Sequence, residues 1–433
     1  MPQFDAVIRS QRVVTPHGVV PAAVAVRGGR IAEVAAHDAP LPAVAEADLG
    51  PVALLPGGVD LDVAVRAPGQ SLRDGYRATT AAAVRGGVTT VVVVPAPGAP
   101  AITGVPALNA HLAAAAGATA HVEYLGGVTA RSTPADLADL RAAGVVGFHC
   151  SLSDGWSPDV PPIDDTRLRK AMVELAAMDV PLLVHAEDAG ELTEPARSGN
   201  GALLAARPPR AERRGLERVI AAARVAGTRT HVSPFSAAEC AAVLAAARAI
   251  GIAVSAQTCP HYLCLPAEQV PDDSPAFRCR PPLRSGANRN ALWSALLPDG
   301  DSPITAIGSG HRPGTGIAAI EWTLPALWTA AARRGRGLAE LARWTATAPA
   351  DLVGLRARGR VAPGCAADLV AFDPAAEQVV PSADPGPYAG RRLAGRVTAT
   401  WVAGRRVSGG PGDGVRGGPL AATGGRGFTE CRE

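Results

Sequence analysis

Lysine is almost missing from this chain: Lys170 is the one lysine among 433 residues, and every other basic side chain is an arginine. A codon bias toward GC-rich triplets accounts for the general trend. It does not by itself account for the loss of a lysine at a reactive position. Charge of one sign is also missing as a block. The net charge of +3 comes from interspersed Arg, Asp and Glu, so no continuous field is available to hold a phosphate backbone or an anionic membrane. Nucleic acid and membrane are therefore not expected as partners. No apolar run reaches the length of a membrane span, and the opening MPQFDAVIRSQ lacks the charged-then-apolar pattern of a secretion signal. The expectation is a cytoplasmic protein. Cysteine is sparse, and its seven residues show no CxxC spacing. That excludes a zinc-thiolate motif and argues for reduced thiols rather than a disulfide framework.

A hydrophobic content of 47% is ample for a large core. The first segment, FDAVIRSQRVVTPHGVVPAAVAVRGGRIAEVA, has β-branched runs broken by turn residues, and Gly28-Gly29 is placed to close a hairpin. From about Leu55, short apolar strands alternate with Ala/Leu-rich stretches of helical period. Eight such strands can be read: GGVDLDVAV, TTVVVVP, HVEYLGGV, VVGFHCSL, VPLLVHAE, RTHVSPF, IAVSAQTCP and PITAIGSGH. Eight βα units close most economically into a (β/α)8 TIM barrel, with the chemistry at the C-terminal strand ends. After the barrel, GLRARGRVAPGCAADLVAFDP and RVTATWVAGRRV return to strand character. The expected organisation is a small composite β-sandwich domain from 1–54 and 356–407, a barrel over 55–355, and a disordered Gly-rich tail over 408–433.

Several segments carry a resemblance. LLPGGVDLDVAV, GGVTTVVVVP, AGVVGFHCSL, PLLVHAED, QTCPHYL, RPPLRSGANRNALW, IGSGHRP and VAPGCAADLVAFDP occur in the order found in the cyclic amidohydrolases. That group contains allantoinase, dihydroorotase and hydantoinase. The chain is most similar to allantoinase, through the fourth-strand region, CPHYLCLPAEQVPD and GIAAIEWTLPALWTAAARRG, and the likeness runs from about residue 5 to 407. The resemblance implies hydrolysis of a cyclic amide, such as allantoin, by two divalent ions bridged by a carboxylated lysine and a hydroxide, with an aspartate on the eighth strand moving the proton. It also implies a homo-oligomer, dimer or tetramer.

Position by position, the family's metal residues are mostly replaced. Where the family has PGxxDxHxH, this chain reads PGGVDLDVA, so Asp62 and Ala64 stand at the two histidine positions. Asp62 is either a remaining ligand or a polar group at the barrel mouth; Ala64 has no donor atom. The bridging lysine of GFK is His149, and an uncharged imidazole is too short to bridge two cations. His185 and His231 match the histidines of strands five and six. The catalytic aspartate of SDH is Gly310, and strand alternation puts Arg312 on the side Gly310 faces, where a fixed cation repels a divalent ion. The loop GHRPGTGIAAIEW is short, and QTCPHYL is read as packing and strand termination.

Two functional classes follow. In the first, the chain is an allantoinase-like homologue that is inactive or strongly impaired, needs no metal, and serves as a structural, regulatory or ligand-binding protein. It binds a small cyclic ureide or amide, or forms a hetero-complex with an active enzyme. In the second, it is a divergent cyclic-amide hydrolase with one zinc ion on His149, His185 and His231, helped by Asp62, and with Glu187 as proton acceptor.

Overall fold

The computed structural model describes residues 3–96, 99–153, 160–297 and 301–408. The expected Gly-rich tail lies outside the described residues from 409 onward. Two eight-stranded sheets organise the chain.

The barrel strands are Gly58–Val63, Val88–Val93, His121–Gly127, Gly147–Ser151, Leu182–His185, Thr230–Val232, Val254–Thr258 and Ile304–Ile307. Each pairs in parallel with the next along the chain. The ring closes where Val63 bridges His311 in parallel and the Ala64 amide donates to the His311 carbonyl at 2.9 Å. All eight fall where the alternating pattern predicts them. The reason is visible in a strand such as VTTVVV, which is buried at every position, as a parallel strand covered on both faces must be.

The helices begin where side chains can satisfy their free amides. Ser71 caps Leu72–Arg85 by accepting from the Asp74 amide at 3.1 Å, and Asp164 caps Asp165–Ala177 by accepting from that of Arg167 at 2.7 Å. The long helix Pro209–Ala226 stops at Gly227, whose left-handed φ of 71° suits glycine. Among the described residues no helix is long and apolar enough to cross a membrane.

The terminal segments form the second sheet, a separate domain. Phe4–Thr15, Gly18–Arg27, Arg30–Ala36, Ala43–Asp48 and Ala53–Pro56 join Leu369–Val379, Arg392–Val402 and Arg405–Ser408, with Ala53–Pro56 pairing antiparallel to the C-terminal strand Leu369–Val379. The expected hairpin is present: Gly28 and Gly29, at φ 58° and 75°, make a two-residue turn between paired Arg27 and Arg30. Cys150, Cys240, Cys259, Cys264 and Cys279 are free thiols, as expected.

Candidate active site at the barrel mouth

A cavity of about 440 Å³ opens among the loops that follow barrel strands five to eight. Asp62, Cys259, His261, Tyr262, Arg280 and Arg312 are among the residues that line it. On the first strand, the register that ends in Asp62 also places Asp60 in the interior. The Asp60 carboxylate accepts from the Asp62 amide at 3.2 Å and from the Ser309 amide at 3.1 and 3.0 Å, which ties the first strand to the segment after the eighth. Burial, against the opposing pull of its hydrogen bonds to Ser309 and Asp62, raises the Asp60 carboxyl to about 6.

The centre of the site is an ion pair. Arg312 donates from Nη2 to Asp62 Oδ1 and from Nη1 to the Asp62 carbonyl at 3.1 Å and the His311 carbonyl at 3.0 Å. Both side chains are nearly enclosed, at 11% and 2% exposure. The eighth strand ends at Ile307, so Arg312 does not arrive by continued alternation. It arrives because the loop doubles back: the Arg312 amide donates to the Ile317 carbonyl at 2.8 Å, and Gly314 turns at φ 71° against Pro68.

Around this fixed cation four buried histidines are held neutral. Burial pushes His149 down to about 3, helped by the nearby charges of His185 and Arg312. Burial and then Arg312 do the same to His261 and His311, each at about 3, while burial alone lowers His231 to about 3.

His185 is turned to Glu187, whose Oε2 lies 2.9 Å from its Nε2. His231 Nδ1 is engaged by Ser255 Oγ at 2.7 Å. Among the described residues no group of three or more His, Cys, Asp or Glu side chains is placed to hold an ion. Of the four candidates, Asp62, His149, His185 and His231, Asp62 is engaged by Arg312 and His185 by Glu187. Glu187 is likewise not a free proton acceptor. Burial alone would raise it, but the hydrogen bond and charge of His185 and the guanidinium of Arg207, 3.1 Å away at Nε, outweigh that and lower it to about 2.

Gly310 sits at φ 61°, and a Cβ added there would meet Cys259 Sγ and His261 Cε1, each at 3.0 Å. A side chain at Gly310 would therefore crowd Cys259 and His261 at the edge of the cavity. Ala64 is buried and contributes backbone pairing only. Lys170 is exposed on the helix Asp165–Ala177, away from the cavity lining.

The QTCPHYL segment, read from sequence as packing, supplies Cys259, His261 and Tyr262 to the cavity wall, and Arg278 and Arg280 join from the following loop. No local sequence signal marks them, since they meet position 310 from segments remote in the chain.

Residues 53–407 match the family model described as "Amidohydrolase family", and residues 5–45 match "Allantoinase, composite domain". The chain belongs to the amidohydrolase family.

Among relatives, an allantoinase of Streptomyces avermitilis is 38% identical over 94% of this chain and 96% of its own length. An allantoinase of Arabidopsis thaliana is 32% identical over 93% and 88%. Among solved structures, the L-hydantoinase (dihydropyrimidinase) of Arthrobacter aurescens superposes with a TM-score of 0.88 over 96% of this chain and 98% of that one, at 23% identity, which speaks for the fold alone. A D-hydantoinase from Bacillus sp. AR9 gives a TM-score of 0.84 over 93% and 95%, at 26% identity. The barrel and its accompanying sheet domain are thus those of this amidohydrolase family.

Proposed function

We propose that this protein is an allantoinase-like member of the family that binds a small cyclic ureide or amide at the barrel mouth without hydrolysing it by the two-metal route. The observation that carries the reading is the Arg312–Asp62 ion pair, a resident cation where the family resemblance calls for dications.

The donor set does not fit a bridged metal pair. Two cations held close together need anionic bridging ligands. Here Asp62 is already neutralised by Arg312, Ala64 and Gly310 offer no donor, and His149 is a neutral imidazole. The cavity retains what ligand binding needs. Its volume of about 440 Å³ falls within the range of small-molecule pockets, and Arg197, Arg278 and Arg280 present donors suited to the carbonyl oxygens of a ureide. Such a protein would act in the cytoplasm as a homo-oligomer, or beside an active enzyme in a hetero-complex.

A second reading, a hydrolase with one zinc ion, has an observation in its favour: His231 Nε2 and Asp62 Oδ2 are both buried with no hydrogen-bond partner.

The test combines metal analysis of protein purified without chelators with allantoin and dihydroorotate hydrolysis assays and a calorimetric titration with allantoin. The expected result is saturable allantoin binding, less than one bound divalent ion per chain and no turnover. Two ions per chain, or allantoin turnover by the unmodified protein, would overturn the reading. One zinc per chain, with hydrolysis that is lost in His231→Ala, would favour the second.

A further inference from the structure

A second cavity, of about 460 Å³, lies away from the barrel mouth where the sheet domain meets the barrel. Its lining includes five arginines and no acidic residue: Arg289, Arg333, Arg334, Arg391 and Arg392. They come from three separate places in the chain. Arg289 is on the helix Gly286–Leu296, Arg333 and Arg334 follow the helix Thr323–Ala332, and Arg391 and Arg392 stand at the start of the strand Arg392–Val402.

The chain as a whole carries 42 basic and 39 acidic residues, so composition predicts near balance in any one hollow. Balance is what a third cavity shows, where Arg169, Arg214 and Arg218 are interleaved with Asp165, Asp188 and Glu217. Among the described residues only Arg392 of the five lies within ion-pair distance of a carboxylate, Glu377 at 3.0 Å on the exposed side, while Glu268 feels the charge of Arg289 from farther off. Arg289 donates to Asn290 Oδ1, and Arg334 donates to the Ala330 carbonyl and lies 4.6 Å from the centre of the Trp293 ring.

A helix C-terminus favours cations, which accounts for Arg333 and Arg334. It does not account for Arg289, Arg391 and Arg392 converging on them. Arg334 responds to the crowding: burial and then the neighbouring charge of Arg289 lower its basicity. Like charges brought together in a partly enclosed hollow repel, and an anion supplied from outside is the direct remedy. Guanidinium forks match phosphate oxygens in paired donors, and several of them together select for multiple negative charge. The volume suits a small molecule, and a concave hollow rather than a stripe does not track a nucleic-acid strand.

We infer that this cavity is a binding site for a small, multiply charged phosphate anion, of the class of inorganic pyrophosphate or a nucleoside polyphosphate. The site is distinct from the barrel mouth, yet one short helix borders both. His261 and Tyr262 of Pro260–Cys264 face the first cavity, and Leu263 and Cys264 line the second.

The experiment is isothermal titration of the full chain with inorganic pyrophosphate, with ATP and, as the control, with sodium chloride at matched ionic strength. Saturable binding of pyrophosphate or ATP is expected, weakening as salt rises. Tighter binding of ATP than of pyrophosphate assigns a nucleoside contact as well; equal binding assigns the phosphates alone. In the double variant Arg289→Glu/Arg391→Glu the affinity should fall by about tenfold or more, whereas Arg169→Glu, in the balanced cavity, should leave it unchanged. The milder pair Arg289→Gln/Arg391→Gln, checked for an intact thermal transition, covers the case in which charge reversal prevents folding, and it too should lose affinity. Absence of saturable binding to the unmodified protein overturns the proposal. So does a double variant, folded, that binds as well as the parent.

Discussion

At the scale of single residues, the barrel mouth turns on which partner each charged or polar group has taken. Arg312 and Asp62 form a nearly enclosed pair, so removing either partner strands the other in a dry setting. Arg312→Ala is expected to destabilise the protein by about 3–5 kcal/mol, and Arg312→Met combined with Asp62→Leu to cost far less, because a buried pair replaced by apolar groups of similar volume is close to neutral. A double-mutant cycle by denaturant unfolding, with Arg312→Met and Asp62→Leu as the single variants, measures the coupling; a double variant that loses as much as the two single variants summed would show that the pair is not coupled.

Gly310 makes the opposite kind of demand. Restoring the family's aspartate there places a side chain at φ 61° and against Cys259 and His261 at 3.0 Å. Gly310→Asp should therefore lower stability by about 1–3 kcal/mol, and Cys259→Ala in the same chain should recover part of the loss. Recovery of hydrolysis by substitutions at 62, 64, 149 and 310 alone is not expected, since a side chain at 310 takes on a left-handed backbone and crowds Cys259 and His261.

At the scale of elements, glycine marks where helices touch the barrel. In the helix Pro209–Ala226, a Cβ on Gly215 would lie 2.0 Å from the Ala186 carbonyl oxygen, a backbone atom directly after His185. Gly215→Ala must push the helix off the fifth strand and disturb the Glu187–Arg207 pair anchored beside it. A loss of about 3 kcal/mol or more is expected in urea unfolding. Gly227, which ends the same helix at φ 71°, has nothing within 4 Å of its Cβ position. Gly227→Ala should cost only about 1–2 kcal/mol, from the left-handed backbone alone. A reversed order of these two effects would mean that the helix has slack against the barrel.

These close approaches were not legible in the chain: the hydrophobic period of RAERRGLERVIAAARVA announces a helix, but says nothing of which residue meets the neighbouring backbone. The eight strands and the capped helices were legible, because β-branched runs and Ser or Asp caps act over a few residues.

For the molecule as a whole, the balance of buried titrating groups sets a pH profile. His149, His231, His261 and His311 stand at about 3 in the fold against about 6.5 in an unfolded chain. A base held below its free value contributes stability that is complete above the free value and is lost as pH falls through the interval. Below pH 6.5 the unfolded chain binds protons that the fold refuses, costing about 1.4 kcal/mol per histidine for each further pH unit.

Asp60 works the other way. Raised to about 6, it contributes stability that is full below its free value near 3.8 and is lost as pH rises through 6. Four histidines against one carboxyl leave a net loss on acidification. The thermal midpoint should fall clearly between pH 7.5 and pH 5, and a flat profile by calorimetry would contradict the neutral, buried state of the histidines.

The sequence alone determined the barrel, the accompanying sheet domain and the family, since these rest on periodicity, turn chemistry and collinear motifs that survive without knowledge of contacts. It also singled out positions 62, 64, 149 and 310. Tertiary structure decided what surrounds those positions. Arg312 reaches Asp62 through a loop that doubles back, Glu187 is captured by Arg207, and Cys259 and His261 crowd position 310. Five arginines meet in one hollow from three remote segments. Each of these is a meeting of groups far apart in the chain, fixed by packing distance, and no local pattern encodes a distance.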